Sequence, residues 1–302
     1  MPSPSRFSGV SMAQATAPPG RDIPGQQSTL WVQAVEHIRR MRGGAQSQLM
    51  RCSDGHYYVV KFQNNPQHRR ILVNEMLGTA LARLLGLPTA FSAVVYVSDA
   101  LISLTPELCI ECARSRVPCQ PGPQFGSCYI GGPRRNTAFD LLPDEMFAEV
   151  DYLKDFAGML VFDKWTCNTD GRQVIFQRRG LKYRAVMIDQ GFCFNSGDWN
   201  FPDAPLRGRY ARTCVYDEIF RIEDFDPWLS KLEIQIDEHA IWECAAEIPP
   251  EWYDSDTNAL ARLVDTLNWR RGKVRELLWA AQGSSKDFLR NWVNRNAFAA
   301  AD

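Results

Sequence analysis

The chain has 302 residues, 45% of them hydrophobic and 23% charged, with a formal net charge of -1. That length supports one large or two modest domains with an ample core, and the balance is ordinary for a soluble globular protein. Near-neutrality removes any global electrostatic pull toward nucleic acid or an anionic membrane, and no apolar run reaches membrane-spanning length. Nine irregularly spaced cysteines read as reduced thiols of a cytoplasmic protein rather than a disulfide framework.

Residues 1–29, rich in Pro, Ser, Gly and Gln, read as a disordered tail. Leu30 to Ile38 mixes strand and helix signals, and Arg42 to Gln48 is a turn-forming loop. Leu49 to Cys52 and Tyr57 to Phe62 read as strands joined through Asp54-Gly55, a hairpin signal. Asn74 to Leu85 carries an apolar stripe at helical spacing, stopped by Gly86-Leu87-Pro88. Ala93 to Val97 returns as a strand. The expected unit over 30–105 is a small antiparallel sheet with one helix. Residues 106–140, with several Pro and Gly, are expected to be a loop-rich hinge. From 141 to 302 the chain is expected to be mainly helical, with helices at about 151–164, 225–236, 237–247, 256–268, 272–281 and 285–295. One hairpin, Val174 to Phe176 with Tyr183 to Ile188, interrupts them.

Four residues stand in the order that a phosphoryl-transfer site needs. Lys61 ends a β-branched and aromatic strand, where an ammonium must reach water or an anion. Glu75 opens the following helix, close enough to hold Lys61 extended, although helix starts attract carboxylates for their dipole alone. Asp170, in Asn168-Thr169-Asp170-Gly171, is a candidate to orient an acceptor hydroxyl; the same residues also suit a plain turn. Asn168 is grouped with it in the catalytic loop, and Asp163 is a rival base, since Asp163 and Asn168 share an Asp-x4-Asn spacing. Asp189 follows the apolar run Ala185 to Ile188, where a carboxylate is costly unless it is paired or bound to a metal. Gly43, Gly44, Ser47 and Gln48 form a small polar loop whose backbone N–H groups can face phosphate.

These residues also carry a family likeness. Tyr58-Val59-Val60-Lys61-Phe62, Asn65-Pro66-Gln67, Asn74-Glu75-Met76-Leu77-Gly78 and Leu85-Gly86-Leu87-Pro88 resemble the amino-terminal lobe of HipA-like kinases. Phe162-Asp163-Lys164-Trp165, Asn168-Thr169-Asp170 and Met187-Ile188-Asp189-Gln190-Gly191 resemble the family's carboxyl-terminal half, and also type II phosphatidylinositol 4-kinases. The resemblance covers about residues 42–195. It implies an α+β, two-lobed protein-kinase-like fold that binds ATP and Mg2+ between the lobes. It further implies Lys61 on phosphate, Asp170 as the catalytic aspartate and Asp189 on metal, with a protein Ser/Thr or small-molecule hydroxyl as acceptor. Where the family places a second metal-binding Asn, five residues after the catalytic aspartate, this chain has Ile175; Gln173 is the substitute ligand. That departure leaves a second reading, a nucleotide-binding module of the same fold without turnover.

Cys109-x2-Cys112, with Cys119 and Cys128, raises structural zinc, but the second pair is spaced too widely. The histidines have no metal spacing, and Gly-x-Ser-x-Gly is absent.

Overall fold

The computed structural model describes residues 30–131, 137–285 and 287–293. The expected tail over 1–29 lies outside the described residues, as does the end of the expected helix over 285–295.

Strand β1 (Leu30–Arg40) settles the mixed signal of the first segment as extended chain. It is followed by β2 (Gln48–Cys52), β3 (Tyr57–Lys61), helix α1 (Ile71–Leu84) and β4 (Ser92–Val97). A short helix α2 (Asp99–Leu104) follows, capped by the Ser98 hydroxyl, then β5 (Cys109–Cys112), β6 (Ser115–Pro118) and β7 (Gly122–Cys128). The order β1-β2-β3-β7-β4 closes into a barrel, because β1 also pairs with β4, in parallel. The sheet is therefore not the purely antiparallel one expected, and it has no free edge at β1 or β4. Its interior holds Met50, Tyr58, Val60, Ala93 and Val95, alternate residues of their strands, with Phe62 just past β3.

The loop-rich reading of 106–140 is corrected by β5, β6 and β7. Strand β7 lies between β3 and β4, with Phe125 opposite both Lys61 and Val94. Its sequence, Gly-Pro-Gln-Phe-Gly-Ser-Cys, has no alternation to announce a strand. Two flanking strands supply its hydrogen bonds instead.

Beyond the barrel, β8 (Ala138–Phe139), β9 (Val150–Asp151), β10 (Gln173–Arg179) and β11 (Lys182–Ile188) form a second sheet in the order β8-β10-β11-β9. Helix α3 (Asp155–Trp165) precedes its central hairpin. The remaining helices are α4 (Trp228–Ser230, continued by a π turn over Lys231–Gln235), α5 (Glu238–Ala245), α6 (Thr257–Arg270) and α7 (Val274–Gly283). Residues 287–291 form turns, not the expected helix.

One apolar core runs through α1, α3, β10, β11 and α5 to α7. Helix α1 is buried nearly all round, since the barrel covers one side and this core the other. Trp165 at the end of α3 is fully buried and donates its indole N–H to Leu267 O on α6, at 2.8 Å. After α1 the chain touches β11, where Met187 N donates to Pro88 O at 2.7 Å. Barrel and second sheet are thus joined next to the residues considered below. No helix among the described residues is long and apolar enough to cross a membrane.

Candidate active site

Lys61 is the last residue of β3, and its ammonium turns inward. It donates to Glu75 on α1 and, at 2.9 Å, to Asp189 Oδ1 just beyond β11. The side chains of Lys61 and Glu75 are 10% and 3% exposed, whereas Asp189 keeps 29%; Asp189 is the member facing solvent. Burial pulls the Lys61 ammonium down, but the Glu75 and Asp189 carboxylates outweigh it and hold its pKa above the ordinary lysine value. Burial pushes the Glu75 carboxyl up, with Lys61 offsetting only part. Burial acts the same way on Asp189, but there Lys61 prevails and keeps the carboxyl below its usual range. The Gln190 N–H completes the cluster by donating to Glu75 Oε2 at 2.9 Å.

Glu75 does not open its helix as expected. Helix α1 begins at Ile71, so Glu75 stands in the second turn, where the dipole's pull on carboxylates has faded. A carboxylate this deeply buried requires a partner, and Lys61 is that partner.

Asp163, the rival base, lies in the last turn of α3 in a wholly buried ion pair with Arg172; both side chains are 0% exposed. Arg172 Nε donates to Asp163 Oδ2 at 2.9 Å, and its Nη1 donates to Ile188 O at 3.0 Å and Gln190 Oε1 at 2.8 Å. One guanidinium thus ties α3 to the residues flanking Asp189 and donates to both Asp163 oxygens. Asn168 is occupied too: its amide donates to Asp163 Oδ1 at 2.9 Å and its oxygen accepts from Asp170 N at 3.1 Å. It braces the loop. Asp170 is exposed, its carboxylate oriented by Gly171 N at 2.8 Å. Gln173 opens β10 opposite Ile188, one residue before Asp189, and its amide reaches Asp170 Oδ2 at 3.4 Å. Ile175 pairs with Val186, farther along the strand.

Gly43, Gly44 and Ser47 lie in the β1–β2 connection, and the pairing of Gln48 with Val60 puts that loop at the Lys61 end of the barrel. The Gln48 side chain is not offered to a ligand: it is buried, its amide oxygen accepting from His37 Nε2 at 2.9 Å and its amide nitrogen donating to Gln46 O at 3.2 Å. The loop is tied to β5, since Gln46 exchanges two hydrogen bonds of 2.8 Å with the Glu111 backbone. Among the described residues no group of His, Cys, Asp or Glu gathers as a metal cluster. Cys109 and Cys119 neighbour each other, while Cys128 lies beside Cys52. The suggested zinc site does not assemble.

The loop after Asp189 is strained. Asp189, Phe194, Asn195, Ser196 and Trp199 have φ of 57°, 57°, 57°, 61° and 52°, a region that costs a non-glycine residue about 1–2 kcal/mol. Farther on, residues 202–209 fold back on the Asp170 loop: Gly208 N donates to Asp170 O at 3.1 Å and Arg172 N to Arg209 O at 3.0 Å. Gly208, at φ +74°, is needed there because a Cβ would lie 2.7 Å from Asp163 Cβ. Two buried cations hold this segment from behind. Lys164 donates to Pro205 O at 2.6 Å and Arg207 O at 2.7 Å. Arg270 binds Asp203 at 2.7 Å and the carbonyls of Lys164 and Trp165 at 2.9 and 3.0 Å. Arg172, Lys164 and Arg270 were missed in the sequence. Their one signal was a cation among apolar neighbours, as in Phe162-Asp163-Lys164-Trp165, which must find carbonyl or carboxylate partners.

Burial lowers the Lys164 ammonium to about 8, against the pull of Asp163. Unfolded, it titrates near its ordinary value of about 10.4. Between those values the unfolded chain binds more protons, so stability rises with pH across that window and the full penalty applies below it. The unfolding free energy of the wild type minus that of Lys164→Met should climb by about 2 kcal/mol from about pH 7.5 to about pH 10. Denaturant titrations at stepped pH measure it, and a pH-independent difference contradicts it.

Asp189, ionised and partly exposed, is the kind of hard oxygen donor that a divalent cation such as Mg2+ takes together with water and phosphate.

A family model described as HipA-like kinase matches residues 34–196, more than half of the chain. Two solved structures share the fold. Hydra Fam20 with sugar has a TM-score of 0.52 at 11% identity, covering 84% of this chain and 87% of that one. The Helicobacter pylori proinflammatory kinase CtkA has a TM-score of 0.50 at 13% identity, covering 85% of this chain and 99% of that one. Comparison with curated proteins gives no match.

Proposed function

The chain belongs to the HipA-like kinase family, and from that premise we propose an ATP- and Mg2+-dependent kinase that phosphorylates a hydroxyl, of a protein serine or threonine first and of a small molecule as the alternative. The single observation carrying this reading is the junction of barrel and second sheet at Lys61, where one ammonium meets Glu75 and Asp189. We take the barrel with α1 as one lobe and the chain from 141 onward as the other, the nucleotide lying between.

In this reading Glu75 keeps Lys61 extended, and the ammonium holds the nucleotide phosphates. The backbone N–H groups of Gly43, Gly44 and Ser47 close over them. Asp189 would hold Mg2+, with Gln173 as a further ligand. Mg2+, when bound, neutralises charge developing on the transferred group. Asp170 orients the acceptor hydroxyl and takes its proton as that oxygen attacks the γ-phosphorus. The bond to the β–γ bridging oxygen breaks and ADP leaves. Most of the rate comes from positioning and charge stabilisation.

Asp170 and Asp163 are separable by experiment. Asp170→Asn should keep ATP-dependent thermal stabilisation and the wild-type Tm, because the side chain is exposed, yet lose about 10^2- to 10^4-fold in turnover. Asp163→Asn should lower Tm by unpairing Arg172. Turnover of Mg-ATP against hydroxyl acceptors, with a thermal-shift titration on each variant, decides. If both variants turn over like wild type, the assignment of Asp170 fails. One observation favours the reading without turnover: Asn168 is committed to Asp163 and Asp170, which leaves only Gln173 as an amide ligand. ATP binding by a wild type that phosphorylates no acceptor selects that reading.

A further inference from the structure

Side chains of α1 and its N-cap residue hold the segment after Asp189 at several points. Asn74, one residue before Glu75, is fully buried. Its amide nitrogen lies 2.8, 3.0 and 2.7 Å from the carbonyl oxygens of Gly191, Cys193 and Ser196, and its own oxygen accepts from Trp199 Nε1 at 2.8 Å. Trp199 thereby sets which end of the carboxamide faces the carbonyls. Arg70, a turn earlier, lies 4.4 Å over the Trp199 ring and donates to Gly197 O at 3.1 Å. At Gly78 the helix leaves no room for a side chain, since a Cβ would stand 2.9 Å from Gln190 Cβ.

The gripped carbonyls bracket three consecutive positive-φ residues, Phe194, Asn195 and Ser196. Such strained backbone persists only where its surroundings over-determine it, and it concentrates at functional sites. Released from Asn74, the turn has every reason to relax, and it is continuous with Asp189, itself left-handed.

We propose that Asn74 is a positioning residue: its carboxamide clamps the strained turn at 191–196 and so holds Asp189 in register with the Lys61–Glu75 pair. The metal-side carboxylate is then set by α1 directly, and the helix that carries Glu75 cannot swing away without dragging Asp189 from its place. The link to Mg2+ rests on the kinase reading; the clamp does not.

Two measurements on the full chain test it. Hydrogen exchange over residues 186–200 in Asn74→Ala should show faster exchange there than in wild type, with β1 to β3 unchanged. Mg2+ affinity, titrated in the presence of a non-hydrolysable ATP analogue, should weaken about 10- to 100-fold, as for other residues that orient a metal ligand. Trp199→Phe, which keeps the Asn74 donors but frees their orientation, should move both readouts the same way by a smaller factor; it decides the matter if Asn74→Ala does not fold. Wild-type exchange at 186–200 in the variants overturns the clamp, whatever the enzyme does. Loosened exchange with wild-type Mg2+ affinity overturns the positioning role. A wild type that binds no nucleotide defeats the kinase reading and leaves the exchange result to judge the clamp.

Discussion

Lys61→Met should lose phosphoryl transfer and also lose stability in a pH-dependent way. The substitution takes the ammonium from between two carboxylates, one of them, Glu75, only 3% exposed. Removing one partner of a buried ion pair costs about 3–5 kcal/mol, because the other charge is left uncompensated. Glu75 can escape part of that cost by taking a proton, since burial already raises its pKa. A carboxyl whose folded pKa is raised binds its proton more tightly in the native state, so stability falls as pH rises from the unfolded value through the folded one. The loss should therefore be smaller near about pH 5 than near about pH 8, given an unfolded Glu pKa of about 4.3. Lys61→Met/Glu75→Gln should regain much of the stability and none of the turnover. Urea unfolding at both pH values, with ATP turnover on each variant, measures this. Equal losses at the two pH values would mean that Glu75 does not depend on Lys61.

Arg172→Met should be the most destabilising single change outside the apolar core. Its guanidinium and Asp163 are both 0% exposed, so the variant leaves a bare carboxylate in the interior and strands Ile188 O and Gln190 Oε1 as well. About 3–5 kcal/mol is expected from the broken pair, against a total of about 5–15 kcal/mol for a typical native domain. Arg172→Lys should recover little, because an ammonium is a point donor and cannot span Asp163 and the Ile188 carbonyl at once. Asp163→Asn/Arg172→Met should be less damaging than the sum of the single changes, since no unpaired charge remains. Chemical denaturation of the four proteins gives the coupling energy. A value near zero would remove Arg172 from its place as the tie between α3 and the Asp189 loop.

Local pattern carried much of the architecture. Strands β2 and β3 were legible from alternation and an Asp-Gly turn, and α1 and α3 from helical spacing, because their apolar faces meet a core that periodicity reports. Strand β7 was not legible: Gly122, Pro123 and Gly126 imitate a loop, and only the flanking strands make the segment extended. The barrel's closure was hidden for the same reason, since the parallel pairing of β1 with β4 joins residues some sixty positions apart in the chain. In the site, Lys61, Glu75, Asp170 and Asp189 stood out by residue type and order. Asn168 and Gln48 carried the same kind of signal, yet the structure turns their side chains to Asp163 and to His37 and Gln46.

By itself the sequence determined which residue types stood ready: a strand lysine, a helix glutamate, an aspartate in a polar turn and an aspartate after an apolar strand. These follow from short-range chemistry, where side chain and neighbours lie within a few residues. Tertiary structure alone decided the rest. It placed Arg172 against Asp163 and left Asp170 in solvent. It put Asn74 under the left-handed turn, and it drew Lys61 to a carboxylate 128 residues away. The physical reason is burial. A charged or amide group removed from water must find its partner wherever folding brings one, and that partner is named by the packing of distant elements, not by spacing along the chain.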